Sequence, residues 1–334
     1  AYKDNTDTQD LSFDSSTKVL SLTEGGTVDL SGLSSSGSGG ATSLNGLTDV
    51  LVETNSMYLG NDPSSSTDDA KYNLAVGTTA LDAITTGDQN VAIGYNALTK
   101  NTTGESNVAI GSQTLVSNTT GRQNIAVGNY NLHKNTTGYG NTSSGNMALY
   151  SNTTGFYNTA YGDGALLDNT TGQYNTAIGR RALFENTTGQ NNAALGYHSL
   201  YNNTTAHYNT AVGMKALESN TTAGSNTAMG YEALNSNTTG EENTAMGYQS
   251  LKANTTGSNN TALGLQSLFS NTTGDYNVAS GYQSLASNTT GAKNTALGYK
   301  GLLLNTTGEN NTAVGFYSLY TNTTGYNNTA VGYR

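Results

Sequence analysis

Three histidines, His133, His198 and His207, are the only imidazoles in a chain of 334 residues that contains no cysteine. They fall at different positions of an internal repeat, so no two share a column, and a His-based metal site within one chain is not expected. Acidic residues are scattered through the same region, and Glu241-Glu242 is the only adjacent pair after residue 72. General acid–base chemistry would need a pocket around that pair. No Gly-rich loop leads into a helix with a lysine, so there is no phosphate cradle, and the Gly-Gly-x-Gly-x-Asp calcium nonapeptide is absent. The chain is therefore expected to be no enzyme, with no catalytic, metal or cofactor-binding residue.

Two other chemistries recur on a schedule. Fourteen Asn-Thr-Thr triplets begin at Asn101, Asn118, Asn135, Asn152, Asn169, Asn186, Asn203, Asn220, Asn237, Asn254, Asn271, Asn288, Asn305 and Asn322. Each is formally an N-glycosylation acceptor. Each is equally suited to an amide ladder, in which side chains hydrogen-bond up a stack of coils. Coils about 4.8 Å apart would crowd a glycan on every rung, which favours the ladder. Aromatic rings recur at a second position, as Tyr95, Tyr197, Tyr231, Tyr248, Tyr282, Tyr299, Phe316 and Tyr333, concentrated toward the C-terminal half. Further rings stand at Tyr139, Tyr157, Tyr174, Tyr208, Tyr276 and Tyr326. Such rings either stack on sugars, with Tyr231, Tyr248, Tyr282, Tyr299 and Phe316 the candidates, or fill space between subunits.

The element that positions all of these is a seventeen-residue repeat. Its first Asn is Asn73, it recurs without a slip to Asn328, and it gives fifteen complete units and a stub ending at Arg334. We number the positions of each unit slots one to seventeen. A fixed period of this kind marks a stacked array, one unit per turn. A unit so short and so rich in Gly, Asn and Thr cannot supply two helices. Thr-Ala-Val-Gly-Tyr reads instead as a short extended segment, and Asn-Thr-Thr-Gly as a turn. Each unit is thus expected to form one coil of an all-β, parallel β-solenoid.

Slot nine is always Leu: Leu81, Leu98, Leu115, Leu132, Leu149, Leu166, Leu183, Leu200, Leu217, Leu234, Leu251, Leu268, Leu285, Leu302 and Leu319. Slot four is mostly aliphatic, from Val76, Ile93 and Ile110 to Leu297, Val314 and Val331. We expect these two columns to line the inside of the coil. Slot five is Gly in all sixteen occurrences, and slot three is Ala in all but Ser143. Gly without exception marks a positive φ or a close backbone approach. One Leu, one Val-sized residue and one Ala per coil make a thin core, about 4–6 kcal/mol of gross burial. Ordering the backbone of a whole coil costs more than that. A homotrimer meeting along a flat Ala/Gly face would supply the missing burial.

Asn-Val-Ala-Ile-Gly at 90–94 and 107–111, Asn-Thr-Ala-Ile-Gly at 175–179 and Asn-Thr-Ala-Val-Gly at 311–315 resemble the head repeats of trimeric autotransporter adhesins of the YadA type. That resemblance implies a left-handed β-roll assembled as a trimer. The period here is longer than in that family and adds the Asn-Thr-Thr-Gly turn. In this longer form the repeats look more like those of bacteriophage tail-fibre proteins. The likeness covers residues 73–334.

Ahead of the repeats, residues 1–33 read as a short β-meander: Leu11 and Phe13, then Val19, Leu20 and Leu22, then Val28 and Leu30. The turns are Asp14-Ser15-Ser16 and Glu24-Gly25-Gly26. It is too short to bury a core of its own and is expected to pack against its copies. Residues 34–72 form a Ser/Gly-rich linker and connector, with a loop at Asp62 to Thr67. Within it Leu47-Thr48-Asp49-Val50 looks like a segment common in phage tail-fibre proteins. No apolar run approaches the length of about 20 residues that a membrane-spanning helix needs.

The net charge of −10 is uneven. Residues 1–72 carry 11 acidic and three basic residues, whereas residues 73–334 carry 12 and 10. A nearly neutral shaft lacks the basic face that nucleic acid requires. The first reading of function is an extracellular fibre on a virion or cell surface, a homotrimeric phage tail fibre or related adhesin whose partners are its own copies and a cell-surface glycan. Two alternatives remain, a glycosylated filament subunit that polymerises and an ice- or polysaccharide-binding solenoid.

Overall fold

The computed structural model describes residues 11–14, 19–22, 27–29, 50–53, 55–60 and 69–334. Strands β1 (Leu11–Asp14), β2 (Val19–Leu22) and β3 (Thr27–Asp29) form an antiparallel meander with Leu11 opposite Leu22 and Val19 opposite Asp29. The Ser/Gly stretch at 34–43 and the loop at 62–67 lie outside the described residues.

The remainder is one β-solenoid. Strand β4 (Val50–Glu53) pairs antiparallel with β5 (Ser56–Leu59), and β5 pairs parallel with β6 (Leu74–Val76). From there each coil adds one short strand, from β7 (Val91–Ile93) to β21 (Thr329–Val331), always parallel and always one repeat further along the chain. Backbone bonds continue the ladder round the other sides of the coil: Leu98 N donates to Thr114 O at 3.0 Å and Lys100 N to Val116 O at 3.2 Å.

The parallel strand ladder begins one strand earlier than the repeat pattern announces. Met57 pairs with Leu74 and Tyr58 with Ala75, so Ser56 is a slot one and Gly60 a slot five. The Ser56 hydroxyl accepts the Asn73 backbone N–H at 3.0 Å, where every later coil uses an Asn carbonyl. Tyr58 fills the core position that Ala takes above it. The parallel ladder therefore already includes β5, ahead of the Asn73 at which the repeats begin. The sequence concealed this earlier start because Ser, Tyr and Ala70 replace Asn, Ala and Gly.

The core differs from the expected one in one column. Slot-nine Leu side chains are fully buried from Leu81 to Leu302, as are the slot-three Ala from Ala75 to Ala313 and most of slot eight, which is mainly Ala or Ser. Slot four points outward: Ile110, Leu195, Met246 and Leu297 are 38–47% exposed. The reason is the pleat, which turns successive side chains to opposite faces. With Asn at slot one and Ala at slot three inside, slots two and four must be outside. The Ala/Gly face proposed for a trimer is corrected by the same fact, since the Ala methyls are inside their own coil.

Two polar exceptions in the core compensate each other. Asn131 stands in slot eight and Ser143 in slot three, and the Ser143 hydroxyl donates to Asn131 Oδ1 while Asn131 Nδ2 donates to Gly145 O at 2.9 Å.

Each coil carries left-handed residues at slots seven, nine and seventeen, for example Gln249, Leu251 and Asn259 at φ of 54°, 50° and 59°. Slot five is more extreme. Gly264 has φ +124°, and a Cβ there would lie 2.7 Å from the Gly281 carbonyl oxygen in the next coil. Slot fifteen is also crowded, since a Cβ on Gly257 would lie 2.6 Å from Gly274 O, yet its φ is ordinary and Ala206 and Ala223 occupy the slot in two coils. There the ladder loosens: Asn203 Nδ2 reaches Ala206 O at 3.3 Å, and Thr221 N reaches Thr238 O at 3.4 Å. Gly264→Ala should thus cost about 3–5 kcal/mol, backbone strain added to overpacking, and Gly257→Ala about 1–2 kcal/mol. Urea denaturation of the two variants checks the order, which reverses if crowding alone governs both slots.

Candidate functional site

The interior edge and the outer faces are the places where function could reside. At the interior edge the slot-twelve Asn side chains are buried from Asn101 to Asn305, with Asn322 half-buried on the last coil. Asn169 Nδ2 donates to Asn152 Oδ1 at 2.8 Å and to Gly172 O at 3.1 Å, and Asn169 Oδ1 accepts Asn186 Nδ2 at 2.8 Å. From Asn118 to Asn305 these amides have both donors engaged and no exposure, so a sugar on Nδ2 has no room in the folded coil. Ile84 takes slot twelve in the coil below Asn101 and closes the row with an apolar side chain.

A second ladder, to which the sequence alone assigns no role, runs up slot one. Asn175 Nδ2 donates to Asn158 Oδ1 at 3.2 Å and to Gly189 O at 2.8 Å. Asn175 Oδ1 accepts both Asn192 N at 3.0 Å and Asn192 Nδ2 at 3.2 Å. All four hydrogen-bonding positions of the amide are used. The signal was available, because slot one is Asn in all sixteen occurrences. The two ladders meet at the slot-fifteen carbonyl, as Gly172 O accepts from both Asn158 and Asn169.

On the turn beyond, the slot-thirteen Thr hydroxyl donates to the slot-thirteen carbonyl of the next coil, as Thr153 Oγ1 does to Thr170 O at 3.1 Å. Slot-fourteen Thr residues face solvent. Only one of the two Thr columns is therefore free for an external ligand.

From Tyr231 onward the slot-six aromatics are exposed, and their rings stack on one another along the axis. Tyr231 stacks on Tyr248 at 5.2 Å between centroids, and Tyr282, Tyr299, Phe316 and Tyr333 form a continuous stack at 5.1, 4.9 and 5.4 Å. The rings stack on their own neighbours along the axis and offer edges to the outside. Sugar stacking on Tyr231, Tyr248, Tyr282, Tyr299 or Phe316 would have to break these contacts, except at the ends of each stack. Lys300 Nζ lies 5.3 Å from the Tyr299 centroid and 5.8 Å from that of Tyr282.

Charged groups gather at slots seven and ten. His198 Nδ1 lies 3.1 Å from Glu218 Oε1, Lys215 Nζ 3.4 Å from Glu218 Oε2, and Lys252 Nζ 2.6 Å from Glu232 Oε2. Hydrogen bonding from Lys252 and Gln249 holds the Glu232 carboxyl below the usual carboxylate range. Gln249, Gln266 and Gln283 continue upward as an amide row, joined at 3.1 and 2.9 Å. His133 and His207 make separate contacts, His133 with Gln113 O and His207 with the Gln190 N–H. The three imidazoles are not brought together, and no cluster of three metal-ligating side chains occurs among the described residues.

The remaining surface is the outer face of the strand ladder. Slot four is apolar in fourteen of its sixteen places, interrupted only by Ser144 and Ser280. With slot two, which is Thr or aliphatic, it forms a face about 70 Å long at the spacing of a parallel ladder. A cavity of about 630 Å³ lies against the last coil between Tyr317, Leu319, Tyr320 and Arg334, where the Leu column stops. Among the described residues no helix is long and apolar enough to cross a membrane.

The ladder can be tested by charge. Asn169→Asp keeps the acceptor toward Asn186 but sets a carboxylate against Asn152 Oδ1 and Gly172 O. We expect a loss of about 3 kcal/mol at pH 7. Burial raises the folded pKa of that carboxyl, so the penalty is full above the folded value, fades as pH falls through it and is gone below the unfolded value near 4. Thermal melts of the variant and wild type from pH 7 to pH 3.5 should converge; parallel curves would mean the amide is solvated. No protein-family model matches the chain, and no curated protein matches it.

Proposed function

We propose that the protein is a non-enzymatic extracellular fibre shaft, a homotrimer whose subunits meet along the outer strand face, of the kind carried by phage tails or bacterial surfaces. One observation carries the reading: the slot-four column, mostly aliphatic, lies on the outside of the ladder, exposed or half-buried in every coil. A contiguous apolar strip of that length greatly exceeds the few hundred Å² that soluble monomers leave uncovered, and such strips mark association surfaces. Its companion column of Thr gives the flatness that a sheet-to-sheet contact requires.

The likeness of the Asn-Thr-Ala-Val-Gly units to adhesin heads and phage fibres supports the number three and the surface location. The interior supports rigidity, since two amide rows and a Leu column lock each coil onto the next. A rod of this form holds whatever it ends in at a fixed distance from a particle or cell. The glycosylated-filament alternative loses its attachment point because the Asn-Thr-Thr amides are buried. The cell-surface glycan, if it is the receptor, is met elsewhere than on the stacked ring faces.

Native mass measurement on the purified chain tests this. The expected result is three bare polypeptides per particle. The variant combining Leu195→Asp, Met229→Asp and Leu263→Asp should give single chains whose far-ultraviolet dichroism still reports the solenoid, because these side chains point away from the core. A wild-type chain that stays monomeric with the strip exposed would overturn the proposal.

A further inference from the structure

The chain has no cysteine with which to staple its coils, yet tyrosines on successive coils lie ring against ring at its surface. Tyr231 and Tyr248 are nearly parallel, 15° apart, with centroids 5.2 Å apart, and they are 37% and 48% exposed. The Glu232 carboxylate, next along the chain, raises the pKa of the Tyr231 phenol. Glu232 is itself held ionised by Lys252 and Gln249. A neutral phenol beside a fixed carboxylate is set up to give up its proton when it gives up an electron.

Tyr282 and Tyr299 stack with the same geometry, 5.1 Å and 9°, but in opposite electrostatics. Lys300 lies over both rings, and its positive charge opposes removal of an electron from either. Stacking is common to the two pairs, and the neighbouring charge separates them.

We propose that Tyr231 and Tyr248 form an oxidative modification site, where a one-electron oxidant such as a haem peroxidase with hydrogen peroxide joins adjacent coils through a dityrosine bond. Each phenol loses one electron to the oxidant and one proton, that of Tyr231 passing to Glu232 and that of Tyr248 to water. The two phenoxyl radicals couple ortho carbon to ortho carbon. One C–C bond forms, the two ortho C–H bonds break as the rings regain aromaticity, and those protons return to the phenolate oxygens. The product is lighter by two hydrogens, and the peroxide is reduced to water. Glu232 is a positioning residue that accepts the proton. The inference rests on the stacked rings and the charges beside them, and it holds for one chain or three.

The test treats the full-length protein, as purified, with peroxidase and hydrogen peroxide at low protein concentration. Dityrosine fluorescence gives the rate, and peptide mass mapping gives the residues joined. The expected product is a cross-link between Tyr231 and Tyr248 within one chain, formed before any link between Tyr282 and Tyr299. Tyr231→Phe and Tyr248→Phe keep the stacked ring and should each abolish that peptide, whereas Tyr208→Phe, at a ring that stacks on no tyrosine, should not. Glu232→Gln should slow the fast phase by about tenfold at neutral pH. The deficit should shrink as the pH rises and the phenol loses its proton without help. A merely structural role for Glu232 would leave a deficit at every pH. Links that appear first at Tyr282 and Tyr299, links that join different chains, or a Glu232→Gln variant as fast as wild type at neutral pH would each overturn the proposal.

Discussion

Everything in the shaft depends on identical groups of successive coils meeting one repeat apart. The buried amides state this most sharply. A slot-one Asn such as Asn175 spends both donors and both acceptor positions on neighbours one repeat away or on the turn of its own unit. A single inserted residue would turn that coil's amides away from their partners and leave several buried polar groups unpaired, at about 1–3 kcal/mol each. An aliphatic core tolerates sliding; an amide ladder does not. The unslipping period of the sequence is the mark of a polar interior more than of an apolar one.

The Leu column adds less than its perfect recurrence suggests. Each Leu is held at φ near +50°, a conformation that costs an L-residue about 1–2 kcal/mol. Burying the side chain returns about 1.5–3 kcal/mol, so the two nearly cancel. What Leu contributes is closure: a left-handed turn that aims a branched side chain at the axis, without space for water beside the amides. The stabilising surplus comes from hydrogen bonds that polarise one another up the stack in a dry environment. That is why Tyr58 and Ile84 appear where the stack begins, each filling with carbon a place that the repeating columns have not yet reached.

The solenoid class, the seventeen-residue coil, the Leu column and the invariant slot-five Gly were legible because they recur without exception. The side of the sheet was harder. An aliphatic slot four beside an Ala slot three looks like two core columns when only hydrophobicity is read, and the strand pleat forbids both. The invariant slot-one Asn held the missing clue, since a polar residue that never varies and lies two places from the Ala must share its face. The start of the ladder was hidden because Ser56, Tyr58 and Ala70 keep its geometry while abandoning the repeat's letters. The Ser56 hydroxyl at 3.0 Å from the Asn73 N–H shows the substitution to be one of chemistry, an oxygen for an oxygen.

The outer columns obey a different logic from the inner ones. Inside, stacking selects for identity: Asn on Asn, Ala on Ala, Leu on Leu. Outside, slot six runs from Asp163 and Arg180, paired at 3.6 Å, to Tyr, Met, Leu and Phe, and slot seven from Glu232 into a row of Gln. Neighbours one coil apart still touch, so each outer residue sees mainly the two residues stacked on it. Local variation there changes local chemistry without disturbing the register, which the inner ladders alone maintain. The same stacked tyrosine pair can therefore sit beside a carboxylate at one height and beneath a lysine at another, and a rod of near-identical coils acquires positions that differ in reactivity.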